Sequence, residues 1–505
     1  MRLRKIGDTL VVCMILLFSA LPGPFRTDEN ALRVRKGRAQ AEEGNSSPIY
    51  LPLVADQSSN ANPPNFKESL FGIELHNADD WSEFQQSSGL VTSYTRINGI
   101  RWSYVEPVEG QRNWLAVAYN EEQIQTAAKN NIRAVLVVRG TPSWAQKVPG
   151  AACGPIKEDK LEAFGNFMRD VVARYSAAPY YVKYWEIYNE PDIAPELVMG
   201  LDLFGCWGDS TDEYYGGGYY ATMLKSIYPK VKQADPQAQM IVGGMLMSYN
   251  PATGVIAPEE EILASKFFEG ILANNGGNYF DGVGFHNYDI YKGHLGAYFS
   301  RKWDSYWNTT GPALIAKAHF LRNLMEAYNV SGKFLMNTET ALLCGPAQDP
   351  PGGPGCESDP GSVFEQTKAY YVTQSYAAAI AEGLRANIWY SLSGWRNSGL
   401  LYADLSPRPA YLAFQFIRQK LEDVIFIGAI TSQDTGDTSG LLGYKFQRAD
   451  GRLIWVIWSK DGVARTIPLT NPPLGVWDAL GDQVTMLDST SLTVTVKPLF
   501  IEWNP

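Results

Sequence analysis

The chain has 505 residues, 45% of them apolar and 12% aromatic, with a formal net charge of −10. That length and apolar content supply a large core and room for two or more domains, which excludes a chain too polar to fold. The acidic balance, with no basic stripe beyond the extreme N-terminus, argues against nucleic acid as a partner. In chain order, Arg2, Arg4 and Lys5 precede an apolar run from Thr9 to Leu21. The run is too short for a comfortable membrane span and suits a signal-peptide core, so residues 1–21 read as a signal peptide or an uncleaved N-terminal anchor. Residues 22–65 are charged, then rich in Ser, Asn and Pro, and read as a disordered linker with one apolar island at Ile49–Val54.

From Phe71 onward, short β-rich runs alternate with longer helical patterns. The expected strands are Phe71–Leu75, Thr95–Trp102, Ala134–Arg139, Tyr184–Asn189, Gln239–Met245, Phe280–His286, Lys333–Thr338 and Ala386–Leu392. Helical patterns between them include Asn120–Asn130, Lys160–Ser176, Tyr219–Ala234, Leu314–Tyr328 and Ser362–Glu382. Eight strand-then-helix units predict a (β/α)8 TIM barrel over residues 66–421. A doubly wound open sheet would need a phosphate-type glycine loop after an early strand, and none occurs. Beyond Leu421, short alternating runs and the turn pairs Asp450-Gly451 and Asp461-Gly462 predict a small all-β sandwich over 422–505. That segment carries no evident catalytic group, so its expected role is structural, with sugar binding as the alternative.

Cys13 lies in the leader, and Cys153, Cys206, Cys344 and Cys356 remain. An even set in an exported chain predicts disulfides; of three connectivities, Cys153–Cys206 and Cys344–Cys356 are expected. Zinc is the rival, without a CxxC pair or a histidine cluster to support it.

The most informative stretch is Tyr184-Trp185-Glu186-Ile187-Tyr188-Asn189-Glu190-Pro191-Asp192. A buried strand is stopped by Pro191, which leaves Glu190 at the strand's C-terminal end, where a barrel keeps its chemistry. Glu339 follows the seventh strand, across the barrel mouth from the fourth. Glycosidic cleavage needs two carboxyls, one to protonate the leaving oxygen and one to attack the sugar or activate water; about 5 Å between them suits a retaining enzyme. Glu186 lies four residues deeper and reads as a structural charge paired with Arg96 or Arg101. Glu74 ends the first strand, where it could line the cleft, and reads as structural; Glu106, followed by Pro107, sits past the second strand in a loop.

These motifs resemble the clan A glycoside hydrolases, whose acid/base ends strand four and whose nucleophile ends strand seven. Trp185 to Asp192 is most similar to the strand-four motif of glycoside hydrolase family 39. Trp102-Ser103-Tyr104-Val105-Glu106-Pro107, Thr141-Pro142-Ser143-Trp144-Ala145 and Thr338-Glu339-Thr340 resemble further segments that family 5 also shares. The likeness runs from about Phe66 to the C-terminus. It implies Glu190 as acid/base and Glu339 as nucleophile. Asn189 would bind the sugar 2-hydroxyl, and Arg96 would sit beside Glu339, with Arg101 as runner-up. Tyr288 would donate to Glu339, and His286 would contact substrate or nucleophile. Trp389 or Trp395 would form a sugar platform, Trp144 a further platform or a core residue, and His76 a weaker substrate contact. The residue after Glu339 is Thr340 rather than an aromatic or glycine, which loosens any transfer of sugar identity. No cofactor or metal is implied, and the partner is a carbohydrate. The expectation is an exported retaining β-glycosidase on xylosidic or glucosidic linkages. The alternatives are a non-catalytic carbohydrate-binding barrel and a transglycosylase. A Gly-x-Ser-x-Gly elbow and a His-Glu-x-x-His pair are both missing, which disfavours a lipase or peptidase.

Overall fold

The computed structural model describes residues 63–75, 80–82, 84, 90–198, 201–251, 258–300, 303, 311–345, 356–486 and 488–505. The leader, nearly all of the expected linker with its Ile49–Val54 island, Cys13 and His76 lie outside the described residues. Among those described, no helix is long and apolar enough to cross a membrane.

Eight parallel strands close a barrel: β1 (Phe71–Ile73), β2 (Tyr94–Arg101), β3 (Arg133–Arg139), β4 (Tyr184–Asn189), β5 (Gln239–Met245), β6 (Gly282–Tyr291), β7 (Phe334–Leu343) and β8 (Asn387–Trp389). Each pairs with its sequence neighbour, and β8 pairs with β1 to complete the ring. Helices α1 (Ala118–Lys129), α2 (Leu161–Tyr175), α3 (Gly217–Ala234), α4 (Phe267–Ala273), α5 (Leu314–Ala327), α6 (Val363–Ala381) and α7 (Pro409–Leu421) follow β2 to β8 in turn. Strands buried on both faces explain the near-continuous apolar runs that marked them in the sequence.

Tyr94, Val135, Tyr184, Ile241, Met336, Ala386 and Ile388 pack into one another inside the barrel. Side chains alternate along a strand, so this layer fixes which residues look inward higher up: Arg96 on β2, Val137 and Arg139 on β3, Glu186 on β4. Strand β7 departs from its expected end. It runs on to Leu343 paired with β6, so Glu339 and His286 lie within strands rather than at their ends. Two β7 residues, Thr338 and Glu339, take the space of one step on β6, between Phe285–Asn337 and His286–Glu339. That bulge reverses the alternation and turns Glu339 into the barrel.

After the barrel come β9 (Ile425–Ala429), β10 (Leu441–Gln447), β11 (Leu453–Ser459), β12 (Arg465–Pro468), β13 (Gly475–Asp478), β14 (Ser491–Val494) and β15 (Leu499–Trp503). They form a five-stranded and a two-stranded antiparallel sheet. The run over 491–502 is split into two strands in different sheets, since Pro498 cannot donate to a ladder. Strand β9 was not anticipated from the sequence. Phe416 of α7 meets Phe500 of β15 edge-on at 5.0 Å, and Lys420 pairs with Glu502 at 2.7 Å, so the β region braces the last barrel helix.

Both disulfides have the expected connectivity. Cys153–Cys206 ties the loop after β3 to the loop after β4 across a sequence separation of 53. Replacing Cys153 and Cys206 together by serine is expected to lower the unfolding free energy by about 4 kcal/mol through loop-closure entropy. Denaturant titration of this variant beside the parent checks it, and an unmoved midpoint would refute it.

Candidate active site

Glu190 follows β4 with a left-handed backbone, φ 50°, and its amide donates to the Gly244 carbonyl at 2.9 Å. That bond fixes the residue at the rim, where it is 7% exposed. Glu339 is also 7% exposed. A carboxylate oxygen of each, together with a ring nitrogen of His286, lies within 4.8 Å of the others.

The two carboxyls have unlike surroundings. Glu339 Oε1 accepts from Arg96, and its Oε2 accepts from the Tyr288 hydroxyl. Glu190 Oε1 faces His286 Nδ1 at 2.8 Å, and no lysine or arginine is within ion-pair range of it among the described residues. Burial pushes both carboxyls above the ordinary range. For Glu339, Arg96 and Tyr288 oppose that shift. For Glu190, the neighbouring charges of Glu339 and Asp192 add to it, so its carboxyl stands well above the usual value. The upward push is thus opposed at Glu339 and reinforced at Glu190.

Arg96 is fully buried at the centre of this arrangement. Its guanidinium donates to Glu339, to Glu186 (Nε at 3.0 Å) and to Asn189 Oδ1 at 2.7 Å, and lies 3.6 Å from Glu74. Arg101 instead sits nearer the rim, bonded to Tyr104 at 2.7 Å and 3.2 Å from Asp202. The remaining amide of Asn189 donates to the Leu203 carbonyl at 3.1 Å. His286 lies 3.5 Å from Glu339 as well as against Glu190. Burial, reinforced by Arg96 and Lys317, holds its imidazole well below the usual range, so it is neutral. A methyl group at Gly244 would collide with His286 Nε2, so only glycine there admits the ring. Lys317 donates to the His286 carbonyl at 2.7 Å and to that of Leu246 at 2.9 Å, tying the end of β5 to the middle of β6.

Glu190, Glu339 and His286 are spaced as metal ligands would be. Their chemistry fits a proton better than a metal. Both Glu339 oxygens already accept hydrogen bonds, and Arg96 holds positive charge where a second cation would be repelled.

The aromatic residues divide. Trp389 is not a platform: it is fully buried, donates to the Ser398 carbonyl at 3.0 Å and packs towards Tyr371 of α6. Ile388 faces the barrel interior, so Trp389 faces the helices and Tyr390 returns to the mouth. Tyr390 is partly exposed, meets Tyr288 edge-on at 5.9 Å, and feels the charges of Glu339 and Glu74. Sequence reading passed over Tyr390, although counting two residues from Ile388 would have found it. Trp395 is half-buried in the loop after β8 under the Arg396 guanidinium. Trp144 is half-buried, donates to the Glu106 carbonyl at 3.0 Å and packs edge-on against Trp102.

No protein-family model matches the chain, and no curated protein does. Solved structures do. A family 39 glycoside hydrolase from Bacteroides cellulosilyticus superposes with a TM-score of 0.61 at 18% identity, over 85% of this chain and 80% of that one. The catalytic domain of GH30 xylanase C from Talaromyces cellulolyticus gives 0.55 at 13% identity, over 87% and 98%. A GH30 endoxylanase from Clostridium papyrosolvens gives 0.54 at 12% identity, over 88% and 98%. At these identities the likeness establishes the (β/α)8 barrel fold.

Two outcomes follow from the electrostatics. Arg96→Gln leaves Glu186 and Glu339 buried without their cation and is expected to cost about 3–5 kcal/mol in chemical denaturation; a loss under 1 kcal/mol would contradict the network. Glu190 has a raised folded-state pKa, so its favourable contribution is present below the unfolded value and lost as pH rises through the folded one. Glu190→Gln should therefore stabilise the fold by about 1 kcal/mol at pH 7, with the gain vanishing near pH 4. Melting curves at the two pH values test this, and an equal effect at both would refute it.

Proposed function

We propose that this chain is an exported retaining β-glycoside hydrolase, with the barrel (66–421) as catalytic domain and the β-sandwich (422–505) as its brace. The observation that carries the reading is the pair Glu190 and Glu339: oxygens within 4.8 Å, both buried, one beside a guanidinium and one without. That is the separation and asymmetry double displacement requires.

Glu339 attacks the anomeric carbon as the bond to the leaving oxygen breaks, and the Glu190 proton passes to that oxygen. The sugar is then an ester of Glu339. Water attacks the same carbon, gives its proton to Glu190, and the ester bond breaks to free Glu339. The Arg96 and Tyr288 hydrogen bonds hold Glu339 ionised in the resting site and stabilise it again as a leaving group. Neutral His286 keeps the Glu190 carboxyl oriented without adding a charge that would draw off its proton. Asn189, fixed by Arg96 and the Leu203 carbonyl, is placed for the 2-hydroxyl. Trp395, Trp144 and Tyr390 are the remaining candidates for stacking against sugar. Xylosidic or glucosidic linkages are the substrates put forward, in keeping with the two neighbours described as xylanases. The two disulfides accord with export.

Glu339→Ala is expected to lower kcat at least ~10⁴-fold with the fold intact. Azide should restore turnover of an activated glycoside with inverted product, whereas in Glu190→Ala it should give retained product. A panel of 2-deoxy-2-fluoro glycosides, followed by intact-mass and peptide mapping, should place a sugar on Glu339. Hydrolysis by Glu339→Ala at the parent rate would remove the residue from its role; sugar binding without turnover by the parent would favour the non-catalytic reading.

A further inference from the structure

One buried charge at the barrel mouth takes no part in this mechanism. Arg139 ends β3, four residues on from Val135 of the interior layer, so it points into the mouth. Its side chain is 1% exposed. Nε donates to Asn98 Oδ1 at 2.6 Å, but NH1 hydrogen-bonds nothing among the described residues. The nearest carboxylate oxygen, Asp202 Oδ1, is 3.7 Å away, and the other Asp202 oxygen is 3.2 Å from Arg101 NH1. Two guanidiniums thus share one carboxylate that satisfies neither in full. Burial and the Arg101 charge push Arg139 down to about 9. A structural arginine this deep normally has its donors filled, because an uncompensated buried charge is costly.

The position is informative. Asp202 lies beside Leu203, whose carbonyl holds the Asn189 amide, so one short loop serves both the proposed 2-hydroxyl contact and Arg139. We infer that Arg139, with Arg101, forms a subsite for an oxyanion carried by the substrate near that 2-hydroxyl: the carboxylate of a uronosyl branch or a sulfate ester. A planar fork whose NH1 makes no hydrogen bond suits either group, and the Asp202 carboxylate marks where such an anion would sit. The inference rests on the proposed glycosidase reading, which it narrows to acidic glycans.

Calorimetric titration of the full chain carrying Glu339→Gln separates the cases, since binding is read without hydrolysis. The three ligands are xylotetraose, the same tetraose with a glucuronosyl branch on an internal 2-hydroxyl, and the same tetraose with a 2-sulfate instead. One charged ligand is expected to bind about tenfold or more tighter than the neutral one, and which of the two does so names the source. Adding Arg139→Gln should cut that preference to within about twofold, while Asp202→Asn, at a site 27% exposed, should raise it several-fold by freeing both arginines. If Arg139→Gln does not fold, the Asp202→Asn change decides. Equal or weaker binding of both charged ligands, including no measurable binding of any of the three, overturns the subsite, as does a preference that Asp202→Asn leaves unmoved. A sugar trapped on Glu339 of the parent enzyme would still uphold the glycosidase reading on its own.

Discussion

Everything at the mouth of this barrel depends on one buried guanidinium. Arg96 is the cation for Glu186 and Glu339 and lies close to Glu74. Glu190 completes a group of four carboxyls in a space that water barely reaches. Arg96, even with Lys317 nearby, cannot balance four negative charges at such depth, so some carboxyls are pushed towards their neutral form. Glu74 and Glu190 are the two driven well above the ordinary range, and Glu339, on which Arg96 and Tyr288 converge, is raised less. The proposed division of labour between acid and nucleophile thus rests on distance from a single side chain.

The backbone makes room for that charge. The interior layer of Tyr94, Tyr184, Ile241 and Met336 fills the barrel below it. On β5, Gly244 lets the His286 ring come up against the strand, and its carbonyl anchors the Glu190 amide. On β7, the bulge at Thr338 turns Glu339 inward. Neither device adds stability by itself: a glycine weakens a strand, and a bulge interrupts its ladder. Their presence together at one level of the barrel is a mark of a site shaped for chemistry rather than for packing alone.

Much of this was legible in the sequence because it is local. Strands β4 and β5 run between the residues expected, since a proline stops one and an apolar run bounds the other. The cysteine pairs followed from loop lengths and an even count. What the sequence did not yield depends on neighbours. The extension of β6 and β7 past the barrel rim comes from their pairing with each other, which no single-strand pattern records. The sequence could not choose between Trp389 and Trp395 as a sugar platform because tryptophan at a strand end looks alike whether it faces helix or cleft; the register with Ile388 turns Trp389 to the helices, and Tyr390 takes the cleft side. Arg139 was passed over for a similar reason: an arginine closing a strand reads as a solvated charge until the loop carrying Asp202 folds over it.

The same register argument connects the two arginines. Arg96 and Arg139 both project inward, the first at the level of Val135 and the second four residues higher on the next strand. The lower one has its donors filled by Glu186, Glu339 and Asn189, and the upper one does not. Were both merely structural, the deeper would be the more costly to leave unpaired and the shallower would relax towards water or draw Asp202 into hydrogen-bond range. It does neither: it stays enclosed, with Asp202 shared between it and Arg101. An arrangement that holds a cation close to an anion yet short of full pairing keeps that cation available, and the negatively charged substituent proposed for the substrate is the partner that would complete it.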